Sequence, residues 1–484
     1  MPTRTAITPA ILAALAAAHA QAQCTPSFNN GPDLLAPAAF AIAVADVNMD
    51  GRPDIITAPN TPGPLSVFRN LGGGVFSPRL EYGFMSANSR HIAIADITVD
   101  GIPDVAVTTD QGLELYYNFV NTFHYMGMEH TGQLRQVASA DMDGDGTADL
   151  VTACATPSRV DVLLNPGGGF LQTFSTAMPV PANGVLLTDF TFDGRPDAII
   201  MGAGNTGLYA LFNDGNGHLI NPQLIINNVG GNAIAAADLN SDGQVDIVNM
   251  QPNFARANVL VNQGGGTFGA ATPINTSSSG LQWLPAIADI NGDNTPELIL
   301  PYLSRVNVYQ QTGPFAYVQP PLQFPTGAGA AQVAVGDFND DGAPDLAVSN
   351  PTAGTIRVLF NAGGGTINLH PQPAAVEFGG NASFEIAATT TGPVATYQWR
   401  RNGQFLTEGD HYAGVHTNQL HILSATEIEA GTYDCVINAC GQVYSNPATL
   451  TVTGCPSADY NRDGDVGTDA DIEAFFRILG GGPC

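Results

Sequence analysis

The chain has 484 residues, enough for two to four domains, and only 12% of them are charged, with 43 acidic against 15 basic side chains. A net charge of −28 excludes nucleic acid and an anionic membrane surface as partners, since both would repel it, and it points towards cations. Glycine (55) and proline (34) are plentiful and heptad-like stretches are absent, the profile of many short strands joined by turns.

The first stretch, MPTRTAITPAILAALAAAHAQA, holds one arginine, a short Ala/Leu/Ile run and small residues at A-x-A spacing. Ala18 with Ala20, or Ala20 with Ala22, forms the candidate cleavage pair, and residues 1–22 are predicted to be a secretory signal peptide. The apolar run is well short of the ~20 residues of a membrane span, so no transmembrane segment is expected in the mature chain. Gln23 before Cys24 does not suit a lipoprotein cleavage site. Export, to the extracellular space or the cell surface, means an oxidising compartment with abundant calcium. The six cysteines are then disulfide candidates rather than catalytic thiols.

From residue 46 an acidic nonapeptide recurs about every fifty residues, seven times in all. The copies are DVNMDGRPD (46–54), DITVDGIPD (96–104), DMDGDGTAD (141–149), DFTFDGRPD (189–197), DLNSDGQVD (238–246), DINGDNTPE (289–297) and DFNDDGAPD (337–345). Short apolar runs such as AIAVA and HIAIA precede them, and others such as IITA and LVTA follow. A Gly-rich turn comes about fifteen residues later, as in NLGGGVF, NPGGGF, NDGNGHL, NQGGGTF and NAGGGTI. Each unit therefore reads as about four strands. One such sheet cannot bury both of its faces, whereas a ring of seven can, so the expectation is a seven-bladed β-propeller over 23–367. The seventh unit loses its fourth strand soon after Ile367. Phe28 stands about twenty residues before the first acidic loop, as Phe268 does before the sixth, so residues 24–36 are expected to supply that outer strand and lock the ring.

Asp or Asn at positions 1, 3 and 5 of a tight loop converges oxygens on one point. Position 7 adds a carbonyl and the carboxylate at position 9 completes a shell suited to Ca²⁺. The candidate ligands are Asp46, Asn48, Asp50 and Asp54 in the first loop, then Asp96, Thr98, Asp100 and Asp104, and Asp141, Asp143, Asp145 and Asp149. Next come Asp189, Thr191, Asp193 and Asp197, followed by Asp238, Asn240, Asp242 and Asp246. The last two sets are Asp289, Asn291, Asp293 and Glu297, and Asp337, Asn339, Asp341 and Asp345. Thr98 and Thr191 stand where the other loops have Asp or Asn, so those two sites are expected to be weak or empty. A glycine after position 5 allows the sharp turn, and Asn294 tolerates the same left-handed geometry. The plainer alternative is a polar turn held by its own hydrogen bonds without an ion. It is a fair account of one loop and a poor one of seven, because empty loops carrying more than half of the 43 acidic residues would repel one another.

The seven motifs resemble the FG-GAP/VCBS repeats, the propeller type also found in integrin α-subunits, over residues 24 to about 367. That resemblance implies loops that brace each blade between its first and second strands, away from the usual ligand face. It makes the aspartates structural ligands rather than catalytic groups.

Residues 368–453 change character. Trp399 in TYQWRRNG, together with Gly431-Thr-Tyr433-Asp-Cys435, resembles a bacterial immunoglobulin-like domain with Tyr433 in the tyrosine-corner place. The strand that would carry its first cysteine, Phe384 to Ala388, has none, so Cys440 is the expected partner of Cys435. The tail, 454–484, resembles a dockerin-like or EF-hand module running into a short amphipathic helix. Asp459, Asn461 and Asp463 take positions 1, 3 and 5 and Asp465 offers a carbonyl. Position 12 falls on Ala470, flanked by Asp469 and Asp471, of which Asp471 is favoured. The tail has one loop where paired dockerins have two, which weakens the case for a cohesin-like partner. Cys455 and Cys484 bracket it and are expected to close it; whether Cys24 pairs with Cys154 stays open.

The fold expectation is thus all-β: a seven-bladed β-propeller, an Ig-like β-sandwich and a small EF-hand/dockerin-like helical tail. No H-E-x-x-H, G-x-S-x-G, P-loop or C-x-x-C occurs, and His411, His416 and His421 are explained by strand and loop positions. The preferred function is a secreted, calcium-binding, non-catalytic adhesion or binding protein. Its ligand would be an extracellular protein or polysaccharide, and the tail would anchor it to a cell-surface or cohesin-like partner. The alternative is a polysaccharide-acting enzyme such as a lyase, or a lectin. A convergent Arg/Lys–Tyr/His cluster on one face would favour the enzyme, and 15 basic residues are few to supply one.

Overall fold

The computed structural model describes residues 25–453, apart from 121, 169–170, 205, 230, 232, 252–255, 277–283, 363–364, 391–395 and 440, together with 472–473. The signal peptide expected at 1–22, Cys24, and the tail ligands Asp459, Asn461, Asp463, Asp465 and Asp471 lie outside the described residues. So do Cys455 and Cys484. Two compact units form, the larger of Pro26–Ile290 with Asn294–Asn361, the smaller including the chain from Ala362 onward.

The larger unit contains seven four-stranded antiparallel sheets. In the first, Ala39–Ala45 pairs with Asp54–Pro59, then Gly63–Phe68, then Leu80–Met85, in chain order. The first strands of the next five sheets are Ser89–Ala95, Gln133–Ala140, Ala182–Thr188, Ala233–Ala237 and Ala286–Ala288. The short apolar runs become strands that are covered on both faces: all six residues of Asp54–Pro59, and all six of Asp104–Thr109, are buried. Fourth strands are largely exposed, as Gln172–Ala177 illustrates. The sixth sheet departs from the others by carrying an extra hairpin, Gln311–Gly313 with Ala316–Tyr317, before its fourth strand Leu322–Pro325.

The seventh sheet is assembled from both ends of the unit. Val333–Gly336, Asp345–Asn350 and Thr355–Asn361 supply three strands, and Phe28–Leu35 supplies the fourth. Register runs from Phe28 opposite Asn361 to Leu35 opposite Thr355, and Arg357 Nη2 donates to Asp33 Oδ2 at 2.7 Å across the pair. The outer strand expected from residues 24–36 is therefore in place. Beyond Asn361, Gly365–Leu369 pairs with Ala387–Thr390 of the smaller unit, and Phe28–Leu35 fills the fourth-strand position of the seventh sheet.

Apolar clusters fill the gaps between consecutive sheets. Ile56 and Leu65 of the first sheet pack with Val105 and Val107 of the second, and Val306 and Val308 of the sixth pack with Leu346 and Val348 of the seventh. The seventh sheet also packs on the first, through Phe338, Ile356 and Val358 against Ile42, Ile55 and Phe68. Burial of this kind contributes roughly 25 cal/mol per Å² of apolar surface, and no single sheet could gain it alone.

The smaller unit is a β-sandwich. One sheet holds Ala374–Glu377, Ala448–Thr453, Gly431–Ala439, Thr396–Arg401 and Gln404–Phe405, and the other holds Ala382–Glu385, Gln419–Ile422 and Tyr412–Ala413. Trp399, Phe384, Tyr433 and Leu420 fill the space between them. Helix is nearly absent among the described residues, being confined to 472–473.

Candidate metal centres

All seven acidic nonapeptides join the first strand of a sheet to its second. The loop at 46–54 illustrates the wiring. Asp46 Oδ1 accepts from the Asp50 N–H at 3.1 Å and its Oδ2 from Gly51 N–H at 2.7 Å. Asn48 Oδ1 also accepts from Asp50 N–H, and Asp50 Oδ1 accepts from Arg52 N–H, both at 3.0 Å. The position-1 bonds repeat around Asp96, Asp141, Asp189, Asp238 and Asp337. Each anchored carboxylate keeps lone pairs beyond those it spends on N–H groups.

Two residues of each loop, not one, take left-handed backbone. Gly51 (φ 86°) and Asn294 (φ 65°) hold the expected place after position 5. Position 4 is left-handed as well, including Met49 (φ 63°), Val99 (φ 60°) and Phe192 (φ 62°), side chains that nothing in the sequence marks for that conformation.

The last residue of the motif does more than close a shell. Asp54, Asp104, Asp149, Asp246, Glu297 and Asp345 have no exposed surface, and Asp197 almost none. In the third loop Asp149 Oδ2 accepts from Met142 N–H and its Oδ1 from Asn165 N–H, each at 2.7 Å. The residue in the place of Asn165 then reaches the neighbouring sheet. Asn165 Nδ2 donates to the Ile97 carbonyl at 2.8 Å, Asn118 to Val47 at 2.7 Å, Asn213 to Met142 at 2.8 Å, and Gln311 to Leu239 at 2.6 Å. Asn361 reaches Ile290 at 2.6 Å, and Asn70 of the first sheet reaches Phe338 of the seventh at 3.1 Å. Every acceptor is position 2 of the preceding loop. In the sequence Asn70, Asn165, Asn213 and Asn361 open Gly-rich turns sixteen residues after the last aspartate, which is the available clue, whereas Asn118 lies fourteen residues after Asp104 and outside any such turn.

Burial without a cation near at hand makes these last carboxylates hard to ionise. Desolvation, only partly offset by the bonds from Asn70 and Val47 N–H, pushes Asp54 up to about 6. Asp149 rises to about 6 and Asp345 to about 8 for the same reason, and Asp104, Asp197 and Asp246 rise too. Among the described residues one group of three acidic side chains brings its ligand atoms within 4.8 Å of one another: Asp141, Asp143 and Asp149. The donor set, hard oxygens around buried and uncompensated carboxylates, fits a divalent cation of the calcium type. In the second and fourth loops the threonine hydroxyl instead donates to the last carboxylate, Thr98 to Asp104 at 3.2 Å and Thr191 to Asp197 at 2.9 Å. His411, His416 and His421 form no such group among the described residues.

Family models match the same segments. An FG-GAP-like repeat matches residues 46–107, 96–152, 141–200 and 189–249, an FG-GAP repeat matches 329–367, and an immunoglobulin domain matches 366–438. The chain carries FG-GAP-like repeats and an immunoglobulin-like domain. Among solved structures, titin domain M4 is 31% identical over 18% of this chain and 95% of its own, with a TM-score of 0.17. Titin domain M3 is 24% identical (19% and 97% covered, TM-score 0.17), and Duf (Kirre) D1 is 17% identical (19% and 97%, TM-score 0.17). No curated protein matches the chain.

In the immunoglobulin-like domain Tyr433 Oη donates to the Glu429 carbonyl at 2.5 Å, the corner expected of it, and Phe384 stacks on both Trp399 and Tyr433. Cys435, expected to bond Cys440, is instead a free, buried thiol, pushed up to about 12 mainly by desolvation, and Cys440 itself lies outside the described residues. Hairpin register explains this, because Val436 lies opposite Tyr444 and Cys435 bonds with Ser445, at the far end of the hairpin from its turn. Cys154 in the FG-GAP-like region is likewise free and buried.

At the other ends of the first strands, away from the aspartate loops, lies a cavity of about 270 Å³. Five first strands line it through Phe40, His91, Gln136, Asn183 and Ala233, and Leu284 and Gln332 line it from just upstream of the first strands of the sixth and seventh sheets, with Arg90 and Arg135 beside them. Gln332 ties three sheets together there, its Oε1 accepting from Ile42 N–H at 3.3 Å and its Nε2 donating to the Arg90 carbonyl at 3.0 Å. Nothing in the spacing of these residues marks them in the sequence.

Proposed function

We propose that the chain is a secreted, calcium-stabilised and non-catalytic binding or adhesion protein. Its seven FG-GAP-like sheets close as a seven-bladed propeller that serves as the ligand platform, and residues 454–484 form the calcium-binding module that anchors it to a cell surface or an assembly. The observation that carries this reading is the bond from Asn70 to the Phe338 carbonyl. It repeats between the seventh and first sheets the contact made between consecutive ones, with an apolar cluster beside it. Calcium would be held by positions 1, 3, 5 and 9 of the loops, most fully in the third and least in the second and fourth, where threonine stands at position 3, and would supply the countercharge that the buried carboxylates lack. A site binding at ~100 µM would add roughly 1.4 kcal/mol in ~1 mM calcium, so several sites approach the ~5–15 kcal/mol of a typical domain.

The test is thermal unfolding of the mature protein in millimolar calcium and in excess chelator, with a count of bound ions. A large fall in melting temperature on chelation, with about five to eight ions bound per chain, is expected. An unchanged curve with no bound ion would sink the calcium reading. The enzyme alternative gains one observation, the meeting of Arg90, His91 and Arg135 at one cavity. It lacks a second, since no tyrosine or carboxylate stands among the described lining residues.

A further inference from the structure

We propose that the cavity at the upstream ends of the first strands binds a small organic monocarboxylate, with Arg135 as its principal ligand. This deepens the reading above and rests on its propeller part alone, the meeting at one cavity of residues in or just upstream of the seven first strands, and not on calcium.

Charge at the cavity is unbalanced. Arg90 spends its fork on Asp110, Nε to Oδ1 at 2.9 Å and Nη2 to Oδ2 at 2.6 Å. Arg135 shares the same carboxylate through Nη1 alone, at 3.2 Å. Two guanidinium groups therefore stand against one carboxylate, and no acidic residue lines the cavity among the described residues. His91 adds no charge near neutral pH, since burial lowers it to about 4. The surplus is one positive charge, in a chain where acidic residues outnumber basic ones 43 to 15.

Position and geometry then select the ligand. The Arg135 side chain is 30% exposed, and its desolvation together with the like charge of Arg90 lowers its pKa against the pull of Asp110. A half-buried cation with half a counterion is the situation that an anion relieves. With Nη1 used, the Nε and Nη2 donors of Arg135 take no partner among the described residues. That edge of a guanidinium is the one that holds a carboxylate by two parallel bonds. Gln136 lies next to it with its Oε1 already accepting from Val185 N–H at 3.2 Å, which leaves its amide donors for the ligand. Phe40, Ala233 and Leu284 add apolar surface to a wall they share with Asn183 and Gln332, which gives the carbon skeleton of an organic acid a contact that a hydrated inorganic ion would not use.

The experiment is calorimetric titration of the mature protein, in calcium, with D-galacturonate, acetate, D-galactose and inorganic phosphate. Galacturonate and galactose differ in the carboxylate alone. Galacturonate is expected to bind in the millimolar range and acetate more weakly, with no heat from galactose. Arg135→Gln should weaken galacturonate by about tenfold or more, the worth of a charge-assisted bond, with the melting temperature kept. Equal affinity for the two sugars, phosphate as tight as galacturonate, or an Arg135→Gln protein that binds as the parent does would each overturn the assignment. The sugar comparison needs no variant, so it decides the matter even if Arg135→Gln fails to fold. Repeating the titration after chelation, at a temperature where the chain is still folded, separates failure of the pocket from failure of the calcium reading.

Discussion

The two ends of the first strands contrast in sign and in regularity. At the downstream end stand seven near-copies of one acidic loop, wired to the next sheet by an asparagine or glutamine in six described cases. At the upstream end the seven contributions, from Phe40 to Gln332, are of six residue types, with glutamine alone recurring, and the charge is positive. Repetition marks what every sheet needs in order to pack on its neighbour. Departure from repetition marks what the assembled molecule needs once, and among similar units that is where a ligand with no sevenfold symmetry can be recognised.

On that contrast, substitutions at the loop end should cost stability and those at the cavity end should not. The largest effect is expected from Asp149→Ala, which leaves the Met142 and Asn165 N–H groups buried without an acceptor; a loss of about 3 kcal/mol, read from urea unfolding, is the expected outcome. Asn70→Ala removes the bond to the Phe338 carbonyl and the acceptor for Gly72 N–H, and should cost about 2 kcal/mol by the same measurement. A loss no larger than that of an exposed substitution would break the idea that this asparagine closes the sheets.

The third expectation concerns pH in calcium-free protein. The folded-state values of Asp54, Asp149 and Asp345 lie above their ordinary 3.8, at about 6, 6 and 8, so the folded chain holds more protons than the unfolded one between those limits. Their contribution is fully present below about pH 4 and is lost as pH rises through 6 towards 8. Urea midpoints in chelator should therefore fall from pH 5 to pH 8, the reverse of the trend for salt-bridged carboxylates. Calcium should cancel the fall, because the ion favours the ionised form that high pH supplies. The smallest effect belongs to Arg135→Gln, expected to change stability by about 0.5 kcal/mol or less, since Arg90 keeps its two bonds to Asp110. A large loss there would make Arg135 a structural group and erase the contrast.

Much of the fold was legible in the chain. The nonapeptides and their flanking apolar runs located all seven loops between two strands, the FG-GAP resemblance made those the first and second of each sheet, and Phe28 pointed to the strand that completes the seventh sheet. Trp399 and Tyr433 were readable because a buried tryptophan and a corner tyrosine leave a local pattern. Cys435 misleads, since a cysteine five residues from another suggests a bond until register places it opposite the Ser445 end of its hairpin. The asparagines after the third strands carried a regular spacing whose meaning lay in the neighbouring sheet.

By itself, then, the sequence determined the repeating unit, its loops and the element that completes the last sheet, because these depend on contacts within about fifty residues or on a pattern shown seven times. Tertiary structure alone decided which last-position carboxylates are buried hard enough to resist ionisation, where the Asn70 amide ends, and which unlike residues meet at the cavity. Arg90 and Arg135 lie 45 positions apart in sequence and share one carboxylate only because their two sheets pack side by side. Burial and the sharing of charge are properties of the assembled sheets, and no single repeat contains them.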